Sequence, residues 1–171
     1  MNRIAITGPE STGKSVLAAQ LAGVYHTVFV PEFARHFLEA NGNQFNEEIV
    51  IYLAQKQLEA EKNLEHQAQK LLFCDTDMLN FKIWLEYYSW KVPDFVWNAL
   101  QQRHYSFHLL LKTDLPWQSD LLRNNEHDRH QLFERFRENL EALHLPYQII
   151  SGKAEARLQS AIRAVNHHLE V

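Results

Sequence analysis

The sequence contains only one cysteine, Cys74, among its 171 residues. A single thiol excludes a disulfide framework and a cysteine-rich zinc site within the chain. Long apolar runs are also missing, because the short run at residues 4–7 is followed at once by Gly8 and Pro9. That run is too short for a signal peptide or a membrane span. We therefore expect a cytoplasmic protein in a reducing compartment, without a membrane partner.

An excess of positive charge is missing as well. The chain has 17 Lys and Arg against 21 Asp and Glu, so its formal net charge is −4. Nucleic-acid binding is therefore unlikely as a bulk property, since it requires a basic surface. The sequence also has no repeat, low-complexity tract or linker. We expect one domain spanning residues 1–171, and nothing in the pattern indicates its oligomeric state.

What the sequence does contain is an alternation of short apolar strands and longer helices. Strands are predicted at residues 4–7, 28–30, 71–74, 107–111 and 147–150. Helices are predicted at residues 13–25, 33–40, 47–69, 78–88, 93–102, 129–143 and 154–169, the third capped by Asn46. This alternation predicts an α/β fold with a parallel five-stranded sheet and helices on both faces. Ligands of such sheets bind at the carboxyl ends of the strands.

Residues 8–15 read Gly-Pro-Glu-Ser-Thr-Gly-Lys-Ser and match the phosphate-binding pattern G-x-x-x-x-G-K-[ST] without a gap. Gly8 and Gly13 permit the backbone angles that turn consecutive N–H groups toward a phosphate. Lys14 is expected to reach the β- and γ-phosphates, and the Ser15 hydroxyl to bind Mg²⁺. The motif lies between a predicted strand and a predicted helix, as its mechanism requires. We therefore predict a P-loop kinase-like three-layer sandwich that binds ATP.

The predicted ATP site extends one residue past the motif. Its residues are Gly8, Pro9, Glu10, Ser11, Thr12, Gly13, Lys14, Ser15 and Val16.

Two aspartates follow the third predicted strand. An apolar strand that ends in Asp is typical of the Walker B arrangement, so Asp75 is the first candidate for holding Mg²⁺. Asp77 is a candidate for contacting the phosphate acceptor. The alternative for both is that they cap the helix that begins near Met78, and Asp77 is the better placed to do so.

Glu32 and Arg35 follow the second predicted strand. A kinase that acts on an alcohol benefits from a carboxylate that orients the hydroxyl and accepts its proton, and Glu32 lies at the right strand end. Arg35 would share a helix face with Glu32 and bind phosphate or substrate. An exposed glutamate in a first helical turn and a plain i, i+3 salt bridge are the structural alternatives.

The polar segment 114–129 follows the fourth predicted strand and is expected to close as a lid. Arg123 and Arg129 within it are the candidates for neutralising the transferring phosphoryl group. A solvated loop is the alternative. The loop 151–153, after the last strand, is expected either to border the adenine or to be an ordinary turn.

Over residues 3–165, the chain resembles the NadR-type ribosylnicotinamide kinase family. The resemblance rests on the phosphate loop, Glu32 to Arg35, Phe-Cys-Asp-Thr-Asp at 73–77, and Leu-Pro-Trp with the later Asp and Arg at 115–123. It implies ATP at the loop, Mg²⁺ near Ser15 and Asp75, and an arginine lid. It also implies an acceptor pocket of Glu32, Arg35 and Asp77. The implied reaction converts nicotinamide riboside and ATP to nicotinamide mononucleotide and ADP.

The sequence departs from this family in two ways. Multidomain members carry an adenylyltransferase domain before the kinase, and we expect none within these 171 residues. Some relatives place an aromatic residue just before the Glu of Glu-x-x-Arg, where Pro31 stands here. A ring that stacks on the acceptor would then come from elsewhere. The candidates are Phe33, Trp84, Tyr87 and Trp117.

Two other functions are compatible with a phosphate loop. The first is an ATP-hydrolysing regulatory switch without a small-molecule acceptor, which would hydrolyse ATP slowly and respond to a partner. The second is phosphorylation of nucleic-acid 5′ ends, which the net charge of −4 disfavours.

Overall fold

A computed structural model describes residues 1–118 and 128–169. In this part of the chain, one parallel sheet of five strands has the order β2-β3-β1-β4-β5. The strands are β1 (Asn2–Thr7), β2 (Phe29–Val30), β3 (Leu71–Asp75), β4 (Phe107–Leu111) and β5 (Tyr147–Ile150). The predicted sheet is therefore confirmed, and β1 lies at its centre.

Seven helices connect or follow these strands in the described residues. They are α1 (Lys14–Val24), α2 (Phe33–Ala40), α3 (Glu47–Glu65), α4 (Met78–Tyr87), α5 (Asp94–Gln101), α6 (Arg129–Ala142) and α7 (Ala154–Leu169). Most of the predicted helix ends agree to within one or two residues. The exception is α3, which was predicted to reach residue 69 and ends at Glu65. The chain turns earlier because residues 66–70 must reverse its direction before β3, with the N–H of Gln67 bonded to Leu64 O and that of Ala68 to Glu65 O.

The helices cover both faces of the sheet, as a three-layer sandwich requires. Ile4 and Ile6 of β1 point to one face, where α1 and α7 supply Leu17 and Val165 to the same core. Ala5 points to the opposite face, where the core includes residues from α3, α4 and α6. Successive strand residues alternate between faces, so a central strand buried on both sides is continuously apolar.

The carboxyl ends of the strands bring the sequence motifs together. β1 leads into the phosphate loop, β2 into Glu32, and β3 into Asp75. β3 pairs in parallel with both β1 and β2, so the carboxyl ends of these three strands lie next to one another. In the described residues, no helix is both long and apolar enough to cross a membrane.

Candidate active site

The phosphate loop lines one end of a cavity of about 510 Å³, and all nine residues of the predicted ATP site contribute to its wall. Gly8 has φ +132° and Gly13 has φ +82°, in the region that disfavours side chains. A Cβ atom on Gly8 would lie 3.0 Å from the carbonyl oxygen of Leu111, so β4 approaches this glycine closely. The local chain path therefore requires glycine at the start of the motif.

The ammonium group of Lys14 lies across the loop. Its Nζ donates to Gly8 O at 3.0 Å and to Pro9 O at 2.9 Å, and the Thr12 hydroxyl donates to the same Pro9 oxygen at 2.9 Å. These hydrogen bonds join residues within the phosphate loop and hold the positive charge of Lys14 beside it. A charge held there can interact with a bound phosphate chain.

Asp75 and Ser15 form an oxygen site beside the loop. Asp75 is 1% exposed, and the Ser15 hydroxyl and the Glu32 backbone lie near enough to its carboxyl group to lower its pKa. Burial raises the pKa of Asp75, while the Ser15 hydroxyl and the charge of Lys14 act in the opposite direction. Its Oδ1 atom has no hydrogen-bond partner among the described residues.

This donor set fits the Mg²⁺ ion that the family resemblance implies. A hydroxyl and a carboxylate are hard oxygen ligands, and the buried Oδ1 atom has capacity left for a cation. The described residues contain no cluster of three or more His, Cys, Asp or Glu side chains that would form a metal cage. Mg²⁺ does not need such a cage, because it is usually held by one or two protein oxygens together with substrate phosphates and water.

Glu32 follows β2 and lines the same cavity as the phosphate loop. Burial raises the pKa of its carboxyl group, the charge of Lys14 lowers it, and the nearby Asp75 raises it again. A carboxylate with a raised pKa is a better proton acceptor near neutral pH than an ordinary glutamate. Glu32 can therefore orient a hydroxyl group that enters the cavity and accept its proton.

Arg35 also lines the cavity, one helical turn after Glu32. Its Nε atom lies 3.9 Å from a Glu32 oxygen, and its Nη1 atom lies 3.3 Å from Glu39. The salt-bridge alternative considered for the sequence is thus present in the structure. Arg35 also places positive charge beside the candidate base.

Asp77 is 0% exposed and, like Asp75 and Arg129, is not among the residues that line the cavity. Its Oδ1 atom accepts from Asn80 N at 3.1 Å and lies 3.0 Å from the Thr7 hydroxyl, whose single proton can be donated to Asp77 or to Asn80. Asp77 is therefore the cap of α4, which was the structural alternative, and its side chain makes no contact with the cavity from which an acceptor contact would come.

Of the two predicted lid arginines, the structure describes only Arg129. Arg123 lies outside the described residues, as does most of the predicted lid. Arg129 begins α6, and its Nη2 atom donates to Ser11 O at 3.1 Å and Leu115 O at 3.2 Å. Its guanidinium carbon lies 5.5 Å from the centre of the Trp117 ring. The structure thus places Arg129 next to the phosphate loop, bonded to the backbone of Ser11.

Arg157 is a site residue that the sequence reasoning missed. It is 4% exposed, and its guanidinium donates to Thr12 O at 2.6 Å and Gly152 O at 2.8 Å and pairs with Asp114. Burial lowers its pKa, and Asp114 acts against that shift. This side chain ties α7 and the loop after β5 to the phosphate loop. A signal was present, because Arg157 shares a four-residue spacing with the apolar Ala161 and Val165 on the buried face of α7.

Aromatic rings make up part of the cavity wall. Of the four rings considered for stacking, Trp84 and Tyr87 line the cavity, whereas Phe33 and Trp117 do not. The other rings that line it are Phe45, Phe81, Tyr88 and Phe136. Phe45 lies edge-on to both Trp84 and Tyr88, with ring centres 5.1 and 5.5 Å apart. Phe45 was missed because it precedes α3 and approaches these rings only in the folded chain.

Comparison with known proteins gives consistent results. A family model described as an AAA domain matches residues 3–157. The trifunctional NAD biosynthesis/regulator protein NadR of Escherichia coli (strain K12) is 26% identical over 127 residues, which are 71% of this chain and 30% of that protein. The chain therefore spans about a third of the length of this curated relative.

Solved structures support the same fold. NadR protein in complex with NR has a TM-score of 0.74 at 21% identity, covering 99% of this chain and 52% of that one. NadR in complex with NAD and AMP-PNP has a TM-score of 0.75, also at 21% identity, covering 99% and 50%. Deoxyadenosine kinase from M. mycoides has a TM-score of 0.62 at 14% identity, covering 96% and 99%. The architecture is thus that of nucleoside kinases with a phosphate loop.

Proposed function

The chain belongs to the AAA-domain family of nucleotide-binding P-loop proteins, and from this premise we propose that it is an ATP-dependent kinase for a nucleoside. The preferred acceptor is nicotinamide riboside or a close analogue, phosphorylated on its 5′-hydroxyl. The products would be ADP and the nucleoside monophosphate. The proposal includes a place in NAD biosynthesis, a cytoplasmic location, and residues 1–171 acting as one catalytic domain.

The observation that carries this proposal is the position of Glu32. The phosphate loop, Lys14 and Glu32 line the same cavity, and the charges of Lys14 and Asp75 both act on the pKa of Glu32, which supports this role. Phosphoryl transfer to an alcohol needs a phosphate-binding surface, positive charge and a proton acceptor within one cavity. A protein that only bound nucleotide would have no need for a partly exposed carboxylate with a raised pKa at this position.

Two further observations support a nucleoside as acceptor. Part of the cavity wall is lined by aromatic rings, which suit the planar base of a nucleoside. In addition, one of the similar solved structures is a NadR complex with NR, and another is a kinase of deoxyadenosine. The base identity is the part of the proposal that depends most on these relatives.

The chain's own residues would divide the work as follows. Glu32 orients the 5′-hydroxyl group and accepts its proton, and Arg35 holds Glu32 in place. Lys14 and the loop N–H groups bind the β- and γ-phosphates, with further positive charge from Arg129 and Arg123. Mg²⁺ at Ser15 and Asp75 would neutralise phosphate charge when bound. Most of the rate enhancement would come from positioning and electrostatics.

The test is ADP release from Mg·ATP by the purified protein, alone and with a panel of nucleosides that includes nicotinamide riboside. The proposal predicts little release without acceptor and a large, saturable stimulation by nicotinamide riboside. Stimulation by a different nucleoside would keep the kinase and replace its substrate. Slow hydrolysis that no nucleoside stimulates would contradict the proposal and favour the regulatory switch.

A further inference from the structure

Three polar side chains form a hydrogen-bonded group next to Gly8, the first residue of the phosphate loop. Thr7 ends β1, Asp77 caps α4, and Asn80 lies in the first turn of α4. The Thr7 hydroxyl lies 2.7 Å from Asn80 Oδ1 and 3.0 Å from Asp77 Oδ1. Thr7 and Asp77 are 0% exposed, whereas Asn80 lines the cavity. The group thus extends from the buried core to the surface of the site.

Asn80 connects this group to the phosphate loop. Its Nδ2 atom donates to Gly8 O at 3.3 Å, and the same oxygen accepts from Lys14 Nζ at 3.0 Å. A carbonyl oxygen can only accept, so the amide must present its nitrogen to Gly8 and its oxygen to Thr7. The orientation of the Asn80 side chain is therefore determined on both sides.

The Gly8 peptide is tightly constrained, which makes this contact consequential. Its φ of +132° and the close approach of Leu111 leave little freedom on the β4 side. Asn80 and Lys14 approach the carbonyl oxygen of the same residue. A change in the tilt of this peptide would move the adjoining loop and the lysine that is bonded to it.

We propose that Asn80 is a positioning residue for the phosphates of ATP, and that Thr7 acts through it. Asn80 holds the Gly8 carbonyl so that Lys14 and the loop N–H groups are arranged before the nucleotide binds. Preorganisation of this kind lowers the cost of ordering the site on binding. Asp77 supports the arrangement by accepting the backbone N–H of Asn80, which explains why a buried carboxylate lies two residues after the candidate magnesium ligand. The inference rests on the proposed use of ATP.

The experiment measures the dissociation constant of Mg·AMP-PNP by titration calorimetry in the absence of any acceptor. Asn80→Ala removes the amide and is expected to weaken binding about three- to tenfold, the loss of one or two hydrogen bonds. Thr7→Val keeps the side-chain shape and removes the hydroxyl, with an expected loss of about threefold. Since Thr7 acts through Asn80, the double variant should bind as weakly as Asn80→Ala alone.

Two further variants separate positioning from simple stability. Asn80→Asp keeps an oxygen for Thr7 but turns a second oxygen toward Gly8 O, so it should bind less tightly than Asn80→Ala. Asn63→Ala changes an exposed asparagine within α3 and should leave binding unchanged. The melting temperature of each unliganded variant shows whether a loss of affinity accompanies unfolding.

Unchanged affinity in a folded Asn80→Ala variant would overturn the inference, as would multiplicative losses in the double variant. These outcomes are distinguishable from failure of the proposed function. A wild type that binds AMP-PNP but phosphorylates no acceptor would end the kinase proposal and leave the role of Asn80 intact. Normal turnover and nucleotide affinity in Asn80→Ala would end the inference about Asn80 and leave the kinase proposal intact. A wild type that binds no nucleotide would contradict both.

Discussion

The two ends of the cavity are built in different ways. The phosphate end uses backbone carbonyls, two glycines with positive φ and one lysine, nearly all from residues 8–15. The acceptor end is the part of the cavity where we propose that the nucleoside binds. Its side chains come from α2, from α4 and from the segment before α3, such as Arg35, Trp84 and Phe45, which approach one another only in the folded protein. A contiguous backbone motif constrains one ligand chemistry closely. Side chains from separate elements can change independently, so we expect the acceptor end to determine which substrate is used.

The largest expected effect is the loss of function at the phosphate end. Lys14→Ala removes the charge at the loop mouth, so ATP affinity and turnover should fall together, with kcat/KM reduced at least about 100-fold. Calorimetric ATP titration and steady-state kinetics measure both quantities. If the variant lost turnover but bound ATP normally, Lys14 would act only in the transition state.

Glu32→Gln tests the junction between the two ends. The amide can still orient a hydroxyl but cannot accept its proton, so kcat should fall about 100- to 1,000-fold while ATP affinity changes less than about threefold. In the wild type, protonation of Glu32 on acidification should reduce kcat. Because its pKa is raised, this decline should begin at a higher pH than for an ordinary glutamate. Near-normal turnover by the variant would exclude Glu32 as the base.

Gly8→Ala asks how rigid the phosphate end is. The added methyl group would lie 3.0 Å from Leu111 O at a φ of +132°, so we expect a destabilisation of about 1–3 kcal/mol and weaker ATP binding. Gly23→Ala is the matched control, because this glycine lies inside α1 with no atom within 4 Å of the new methyl group. The control should stabilise the protein by up to about 1 kcal/mol in denaturant unfolding. Equal responses at both positions would show that the loop tolerates side chains.

Sequence alone predicted the phosphate end well and the acceptor end poorly. The loop, Asp75 and Glu32 lie within or beside strand ends, where a short pattern indicates both the residue and its position. The role of Arg157 was not predicted, because its partners Thr12 and Gly152 come from separate parts of the chain. Asp77 illustrates a different limit. Its spacing fits both a helix cap and an acceptor ligand, and only the packing of Thr7 and His108 around it distinguishes the two.

At the acceptor end, we expect a smaller and more selective effect. Tyr88→Ala removes a ring that is 43% exposed and lines the cavity, so the KM for the nucleoside should rise about three- to tenfold with the KM for ATP unchanged. Tyr52→Ala changes a ring of similar exposure, 41%, on α3 away from the cavity. Its kinetics should match the wild type. A rise in the KM for ATP in Tyr88→Ala would mean that the two ends are not separate.

The smallest expected effect is on stability. Burial raises the pKa of Asp75, so this group favours folding below its unfolded pKa, and that contribution is lost as the pH rises through its folded pKa. Without Mg²⁺, Asp75→Asn should therefore gain stability relative to wild type as the pH rises above about 4, by a few degrees in melting temperature at most. Added Mg·ATP should stabilise the wild type more than the variant. A difference between the two proteins that is independent of pH would contradict this account.

The most direct test of the central claim is detection of the phosphorylated nucleoside itself. Nicotinamide riboside and Mg·ATP would be incubated with wild type and with Glu32→Gln in parallel, and the products separated and identified by mass spectrometry. The account predicts a 5′-monophosphate and an equal amount of ADP from the wild type, and almost none from Glu32→Gln at undiminished ATP affinity. ADP and free phosphate without any nucleoside monophosphate would contradict it.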